Sequence, residues 1–257
     1  MGLAIPLSVA ATPASYLASR QQADGGFAEP GSSSFPELTS WAALALRANG
    51  ADTGGALSYL VAHEDALTNP TSIALAALAE AALGRDPDAL LARLPARPRA
   101  VNAAVWTVLA RRQARRSAPA TVVRYILRSQ ARNGGFSWTR GLAPDSNDTA
   151  FAIQAVRAAG VRGGVVTRAV AFLRTFERRD GGFELAHGRG SDAQSTAVAI
   201  QAFVAAGVKL PRAAFTYLAR LRRADGSYRY SLRYNATPVW VTSQVLPALA
   251  RKALPLH

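Results

Sequence analysis

The chain has 257 residues, 49% of them hydrophobic and 18% charged, a composition long enough for one large domain and too apolar for a disordered one. It contains no cysteine, which excludes disulfide frameworks, thiol nucleophiles, thioesters and cysteine-ligated zinc. Its 30 basic residues, all arginine except Lys209 and Lys252, exceed 16 acidic ones to give a formal charge of +14, a field that favours anionic partners.

The first 14 residues read as an N-terminal arm or the remnant of a signal peptide. Leu3 to Ala14 is apolar but short and broken by Pro6 and Pro13, so it cannot span a bilayer, and no other stretch qualifies as an integral membrane span. Ala11-Thr12-Pro13-Ala14 resembles a small-residue cleavage site, which points to an extracytoplasmic location; an irregular arm points to a cytoplasmic one.

Residues 15–257 are predicted to form one repeat domain. Tyr16-LASRQQADGG-Phe27 is a helix-like run that breaks at Asp-Gly-Gly and closes on an aromatic. An alanine-rich segment follows, Thr39-SWAALALRANG, ending at Gly50. From 51 to 120 the pattern degenerates: Ala56 to Glu64 and Pro87 to Leu94 are short first helices without the Gly-Gly break. Thr71-SIALAALAEAALG and Val101-NAAVWTVLARR are their alanine-rich partners. The run Arg111-Arg112-Gln113-Ala114-Arg115-Arg116 falls at a helix end, where cations complement the dipole. No stacking platform or groove-reading motif accompanies it, so nucleic acid is not an expected partner.

The full pattern returns in Tyr125-ILRSQARNGG-Phe136, Phe172-LRTFERRDGG-Phe183 and Tyr217-LARLRRADGS-Tyr228. Their second segments are Thr149-AFAIQAVRAAG, Thr196-AVAIQAFVAAG and Pro238-VWVTSQVLPALA. Thr39, Thr149 and Thr196 read as helix caps, and Gly50, Gly160 and Gly207 as left-handed residues after the helix end. Strand patterns are absent. Each second helix is almost free of charge and must be buried all round, whereas the first carries the arginines. Six such hairpins close into an all-α α6/α6 toroid, since an open stack would leave apolar faces at both ends. The turn glycines and aromatics are expected to be structural, with glycine supplying φ > 0.

These segments resemble the αα-toroid repeat family: squalene–hopene and related terpene cyclases, protein prenyltransferase β subunits, and the helical domain of the intrinsic factor–transcobalamin proteins. The cyclase repeat runs Gln-x-x-x-Gly-x-Trp; Gln21-x-x-x-Gly25-x-Phe27 and Gln130-x-x-x-Gly134-x-Phe136 match it with Phe for Trp, and the repeats at Glu177 and Arg222 match less well. Asp145-Ser146-Asn147-Asp148-Thr149-Ala150 resembles the Asp-x-Asp-Asp-Thr-Ala motif of class II terpene cyclases, whose middle Asp protonates an alkene or epoxide. Here that position is Asn147, and an amide cannot deliver a proton. Asp145 and Asp148 remain, either as pocket-lining groups, with Asp148 as a helix cap, or as displaced acids. The sister segment from Ser191 to Ala197 has the same shape and places Asp192 at the equivalent edge.

Prenyl transfer would need a zinc ligand from cysteine, which is missing, and the three histidines (His63, His187, His257) are far apart in sequence, so neither a metal nor any other cofactor is implied. Glycoside hydrolysis would need two carboxylates converging in a cleft, for which only Asp145, Asp148 and Asp192 are candidates. The inner helices bring Trp41, Trp106, Phe151 and Trp240 toward the axis, with Gln154, Gln201 and Gln244 nearby; they either line an open pocket or fill the centre. Tyr228 to Asn235 alternates aromatics and cations, as a packed loop or as a rim for an anionic group.

The reading that follows is a non-catalytic protein binding a large hydrophobic or macrocyclic molecule, a terpenoid or a corrinoid by resemblance, the latter shared with a separate partner domain or a transporter. The alternative is a class II terpene cyclase, an intramolecular transferase, using Asp145 or Asp148.

Overall fold

A computed structural model describes residues 11–256. The helices among them alternate between an outer and an inner set. The outer helices are α1 (Pro13–Ala18), α3 (Ala56–Ala62), α5 (Asp88–Ala92), α7 (Ala120–Arg128), α9 (Gly164–Arg174) and α11 (Arg212–Leu221). The inner ones are α2 (Pro36–Ala48), α4 (Pro70–Ala82), α6 (Val101–Gln113), α8 (Ser146–Ala158), α10 (Ala193–Ala206) and α12 (Pro238–Leu249). Each inner helix packs on the next, and α12 returns to pack on α2, so the six close into a ring. Most outer helices sit over the groove between two inner neighbours; α1 does so across the seam, against α12 and α2. The architecture is the expected all-α toroid of six hairpins. None of the described helices is long and apolar enough to cross a membrane.

The inner helices form because their sequences are rich in alanine and leucine, and they are buried nearly all round. Proline at the first position of α2, α4 and α12 sets φ where no intrahelical N–H bond is lost. Gly50, Gly84, Gly160 and Gly207 take positive φ just beyond α2, α4, α8 and α10 and end them. Sequence alone missed only a small amount of extended structure: β1 (Phe183–Glu184) pairs antiparallel with β2 (Ser191–Asp192), and single bridges join residues within the other Gly-turn repeats.

The threonines are not caps. The N-caps of α8 and α10 are Asp145 and Asp192, whose carboxylates accept from the backbone N–H three residues on (2.8 and 2.7 Å). The N-cap of α2 is Phe35, with no side-chain bond. Thr39, Thr149, Thr196 and Thr242 lie one turn further in. Each Oγ1 accepts at 2.9 Å from the backbone N–H of the aromatic that closes the Gly turn: Phe27, Phe136, Phe183 and Tyr228. The extended turn thus lends its one free donor to the inner helix, and the aromatic beside it is buried.

The first glycine of each turn lies against the start of the next outer helix. A Cβ at Gly25 would fall 2.6 Å from the carbonyl oxygen of Gly55, at Gly134 2.5 Å from that of Arg168, and at Gly181 2.6 Å from that of Ala213. At Gly226 it would fall 2.5 Å from the carbonyl oxygen of Thr12, the cap of α1, so the contact between successive hairpins is also the one that closes the ring. The Gln of the repeat motif straps the same junction. Nε2 of Gln21 donates to the carbonyls of Gly25 and Thr53, and that of Gln130 to those of Gly134 and Val165. In the last repeat Arg222 replaces it and reaches Ala11 O at 2.9 Å. Thr12, Pro13 and Ala14 therefore belong to the first outer helix and its cap, while the rest of the proposed signal remnant, residues 1–10, lies outside the described residues.

Replacing Thr149 by Val keeps the shape but leaves the buried Phe136 N–H without an acceptor. Urea unfolding should show a loss of about 1–3 kcal/mol, the cost of a buried orphan donor. A change below about 0.5 kcal/mol would mean that the turn and inner helix are not joined through this bond.

Candidate functional site

The inner helices run in the same direction, so their N-termini surround one mouth of the ring and their C-termini the other. Their free N–H groups at the first mouth are taken up by the loop of the following hairpin. Asn102 N donates to Trp138 O (3.0 Å), Ser146 N to Leu185 O (3.1 Å) and Ala193 N to Tyr230 O (2.7 Å). For α12 the acceptor is a side chain from the first hairpin: the Glu29 carboxylate receives Val239 N and Trp240 N at 3.0 and 2.7 Å. The loops are therefore pinned across the mouth.

Asp145 and Asp148 lie on the first turn of α8, hydrogen-bonded to one another and half-buried. Burial pushes the Asp148 carboxyl up to about 7, and the neighbouring Asp145 charge adds to the rise; the nearby Asn102 side chain opposes the shift. Asp145 is raised too, by burial, against which the backbone and side-chain hydrogen bonds it accepts work. Asn102, which sequence reasoning did not single out, is held by Thr71, whose hydroxyl donates to its Oδ1 at 2.8 Å, and its side chain lowers the pKa of Asp148 against the effect of burial. The only signal for it was a lone amide in the first turn of an apolar helix, one turn before Trp106. Asn147 accepts from the Ser146 hydroxyl at 3.3 Å. Asp192 does not join the pair: both its oxygens serve Ser195 of its own helix, at 2.7 and 2.8 Å, and burial raises its pKa.

One turn below the acids lie the aromatics. Phe151 meets Trp106 with ring centroids 4.9 Å apart, and Trp41 meets Trp106, Phe151 and Trp240 at 5.5, 6.0 and 6.3 Å. Helices α2 and α8 are first and fourth of six and so face one another across the ring. Contact between Trp41 and Phe151 therefore closes the axis at this depth, and Trp41, Trp106 and Phe151 are all less than 8% exposed. Trp240 is half-buried and stacks on Phe35. At the other mouth the C-terminal segment enters the ring. Leu254 N donates to Gln154 Oε1 (2.9 Å), and Leu256 exchanges backbone bonds with the Gln113 amide at 2.6 and 2.9 Å. Gln201 donates to Gln244 O at 3.1 Å. Tyr228 is buried, whereas Tyr234 is exposed, so the segment from Tyr228 to Asn235 is packed at its start and free at its end. Among the described residues no group of three or more His, Asp or Glu could hold a metal ion.

Because the folded pKa of Asp148 lies above its unfolded value, ionising it costs stability. That cost is absent below about pH 4, grows as pH rises toward 7, and is then constant. Asp148→Asn should therefore raise the melting temperature at pH 8 relative to wild type, with the gain shrinking toward pH 5. A gain independent of pH would contradict the burial of an ionisable pair.

No protein-family model and no curated protein matches the sequence. Among solved structures, the type II terpene cyclase MstE from Scytonema superposes with a TM-score of 0.70 at 14% identity, over 93% of this chain and 95% of that one. A variant of that enzyme has been solved with geranylgeranyl dihydroxybenzoate, its substrate. ent-Copalyl diphosphate synthase from Streptomyces platensis gives 0.60 at 18% identity, covering 84% of this chain and 50% of that one. A glycosidase gives 0.65 at 15% identity over 93% and 94%. At these identities the likeness is one of fold, and the chain has the all-α toroid architecture of class II terpene cyclases.

Proposed function

We propose that the protein binds a large hydrophobic or macrocyclic molecule at the mouth formed by the N-termini of the inner helices, without transforming it. The observation that carries this reading is the chemistry of the acid motif. Asn147 has no acidic proton to give, and of the two remaining carboxyls Asp145 is raised by burial and Asp148 is pushed up to about 7. Protonating an alkene needs an unusually strong acid; a raised pKa makes Asp148 a weaker one than an ordinary carboxyl. The aromatic layer of Trp41, Trp106, Phe151 and Trp240 serves as an apolar floor, and Asp145, Asn147, Asp148 and Asn102 as a polar rim that would orient one hydroxyl or carbonyl of the ligand. Asp192 would stand at the edge of that rim. The terpenoid substrate of a protein with this fold supports a terpenoid ligand. A corrinoid held with a partner domain rests on the resemblance of the repeats alone.

The second reading, a class II terpene cyclase, is favoured by one observation: burial pushes the Asp148 carboxyl up to about 7, and it stands one helical turn from the apolar layer at Phe151. In that reaction its O–H would pass the proton to the terminal alkene carbon and Asn102 would stabilise the carboxylate left behind.

The two readings separate in one set of assays. Titration of tryptophan fluorescence with geranylgeraniol should show saturable quenching, weakened about fivefold or more in Trp240→Ala through loss of about 1 kcal/mol of aromatic contact. Extracts after incubation with squalene or geranylgeranyl diphosphate should contain no cyclised product. Turnover by wild type that vanishes in Asp148→Asn would establish the cyclase instead, and absence of quenching by both geranylgeraniol and cobalamin would remove the binding reading.

A further inference from the structure

A cleft of about 1020 Å³ opens at the opposite end of the ring, between the C-termini of α2, α4 and α6 and the segment after α12. The cations lining it are Arg47, Arg85, Arg115, Arg116 and Lys252. Two of these are already paired: Arg85 with Glu64 and Glu80, and Arg116 with Asp86 and Asp88 at 2.9 and 3.0 Å. Arg47 spends only its Nε, on the Ala82 carbonyl at 3.0 Å. Arg115 and Lys252 are solvent-exposed, and among the described residues neither side chain makes a hydrogen bond or ion pair. Of the two carboxylates in the lining, Asp52 accepts the Gly54 N–H of its own turn and Asp86 is taken by Arg116.

Arg115 is the residue that sets this cleft apart from an ordinary helix end. It follows α6 at the position where α2, α4, α8 and α10 have Gly50, Gly84, Gly160 and Gly207, and it adopts the same left-handed backbone, φ 57°. An L side chain in that region carries a conformational cost that glycine does not. Complementing the helix dipole needs no such cost, because Arg111 and Arg112 already stand in the last turn of α6. After α12, Arg251 takes the same left-handed backbone (φ 51°), but its guanidinium lies over the Phe215 ring at 5.8 Å and outside the cleft; Arg115 carries the same backbone strain with a side chain that lines the cleft and, among the described residues, has no partner.

The geometry points to a phosphate-binding cleft that takes a small molecule bearing a phosphate or diphosphate group. Arg47, Arg115 and Lys252 would supply the free donors, with Arg85 and Arg116 fixed as a charged wall. Arginine forks match phosphate oxygens in pairs, which suits a diphosphate better than a single carboxylate. No aromatic side chain lines the cleft, so stacking with exposed bases is not part of the recognition. The cleft is separated from the Asp148 mouth by the aromatic layer and by the inserted C-terminal segment. It is therefore a second site and does not depend on the function proposed for the first.

Calorimetry with pyrophosphate, with inorganic phosphate as the weaker probe, tests this at two salt concentrations. Wild type should bind pyrophosphate, more weakly at higher salt, and the affinity should fall about fivefold or more in both Arg115→Gly and Lys252→Gln. Arg115→Gly relieves the backbone strain and should melt at the same temperature as wild type or above it, so its loss of binding would not be a loss of folding. Absence of heat with pyrophosphate at millimolar concentration would overturn the proposal, as would unchanged affinity in both variants. Binding confined to duplex DNA, or to anionic phosphatidylglycerol vesicles, measured under the same conditions, would also overturn it in favour of a polyanionic surface.

Discussion

The ring depends on one close approach: the backbone of a Gly turn touching the first carbonyls of the next outer helix. The distance admits no Cβ, and the conformation at each first glycine has φ between 86° and 92°, so glycine is needed there on two independent grounds. The contact is local in each hairpin pair, yet its last instance, Gly226 against Thr12, joins residues more than two hundred positions apart. A ring built from such contacts has no end hairpin with an exposed apolar face, which is what an open helical solenoid must cap by other means. Gln21 and Gln130, and Arg222 at the seam, add a side-chain hydrogen bond across the same junction, to carbonyls of the following outer helix or the residues just before it.

The same hydrogen-bond economy shapes the mouth. The inner helices from α6 onward present free N–H groups there, and the protein spends the loop carbonyls of the next hairpin, or the Glu29 carboxylate, on them. What remains for a ligand is a shallow polar rim above aromatics that meet across the axis. The paired carboxyls on α8 sit in an environment that favours their neutral form, and a neutral carboxyl with an oriented amide beside it is a hydrogen-bonding pair suited to a hydroxyl or a carbonyl.

The two ends of the ring differ in electrostatic character. At the N-terminal mouth partial burial raises the pKa of the paired carboxyls; at the C-terminal cleft arginines outnumber the acids in the lining, and one of them occupies a backbone conformation that four other repeats give to glycine. Charge of one sign at the ends of parallel helices is expected from their dipoles. An unpaired side chain on a strained backbone is not, and that contrast separates the cleft from the general surplus of arginine.

The amino-acid sequence by itself determined the number of hairpins, which helix of each is buried, where the turns fall, and that an amide replaces the acid at position 147. Those are properties of period, composition and identity, readable one segment at a time. It did not determine what the threonines do: a hydroxyl near a helix start serves a cap and a distant N–H equally well, and only the placement of the preceding turn selected the Phe27, Phe136, Phe183 and Tyr228 donors. Nor did it decide whether the centre was open, because Trp41 and Phe151 are far apart in sequence and meet only once α2 and α8 face one another. Asn102 beside Asp148, Glu29 on α12 and Gln154 on Leu254 are likewise pairings between elements distant in sequence. Tertiary structure decided them because a buried polar group takes whichever partner the closed chain brings within hydrogen-bonding distance, and separation along the sequence carries no information about that distance.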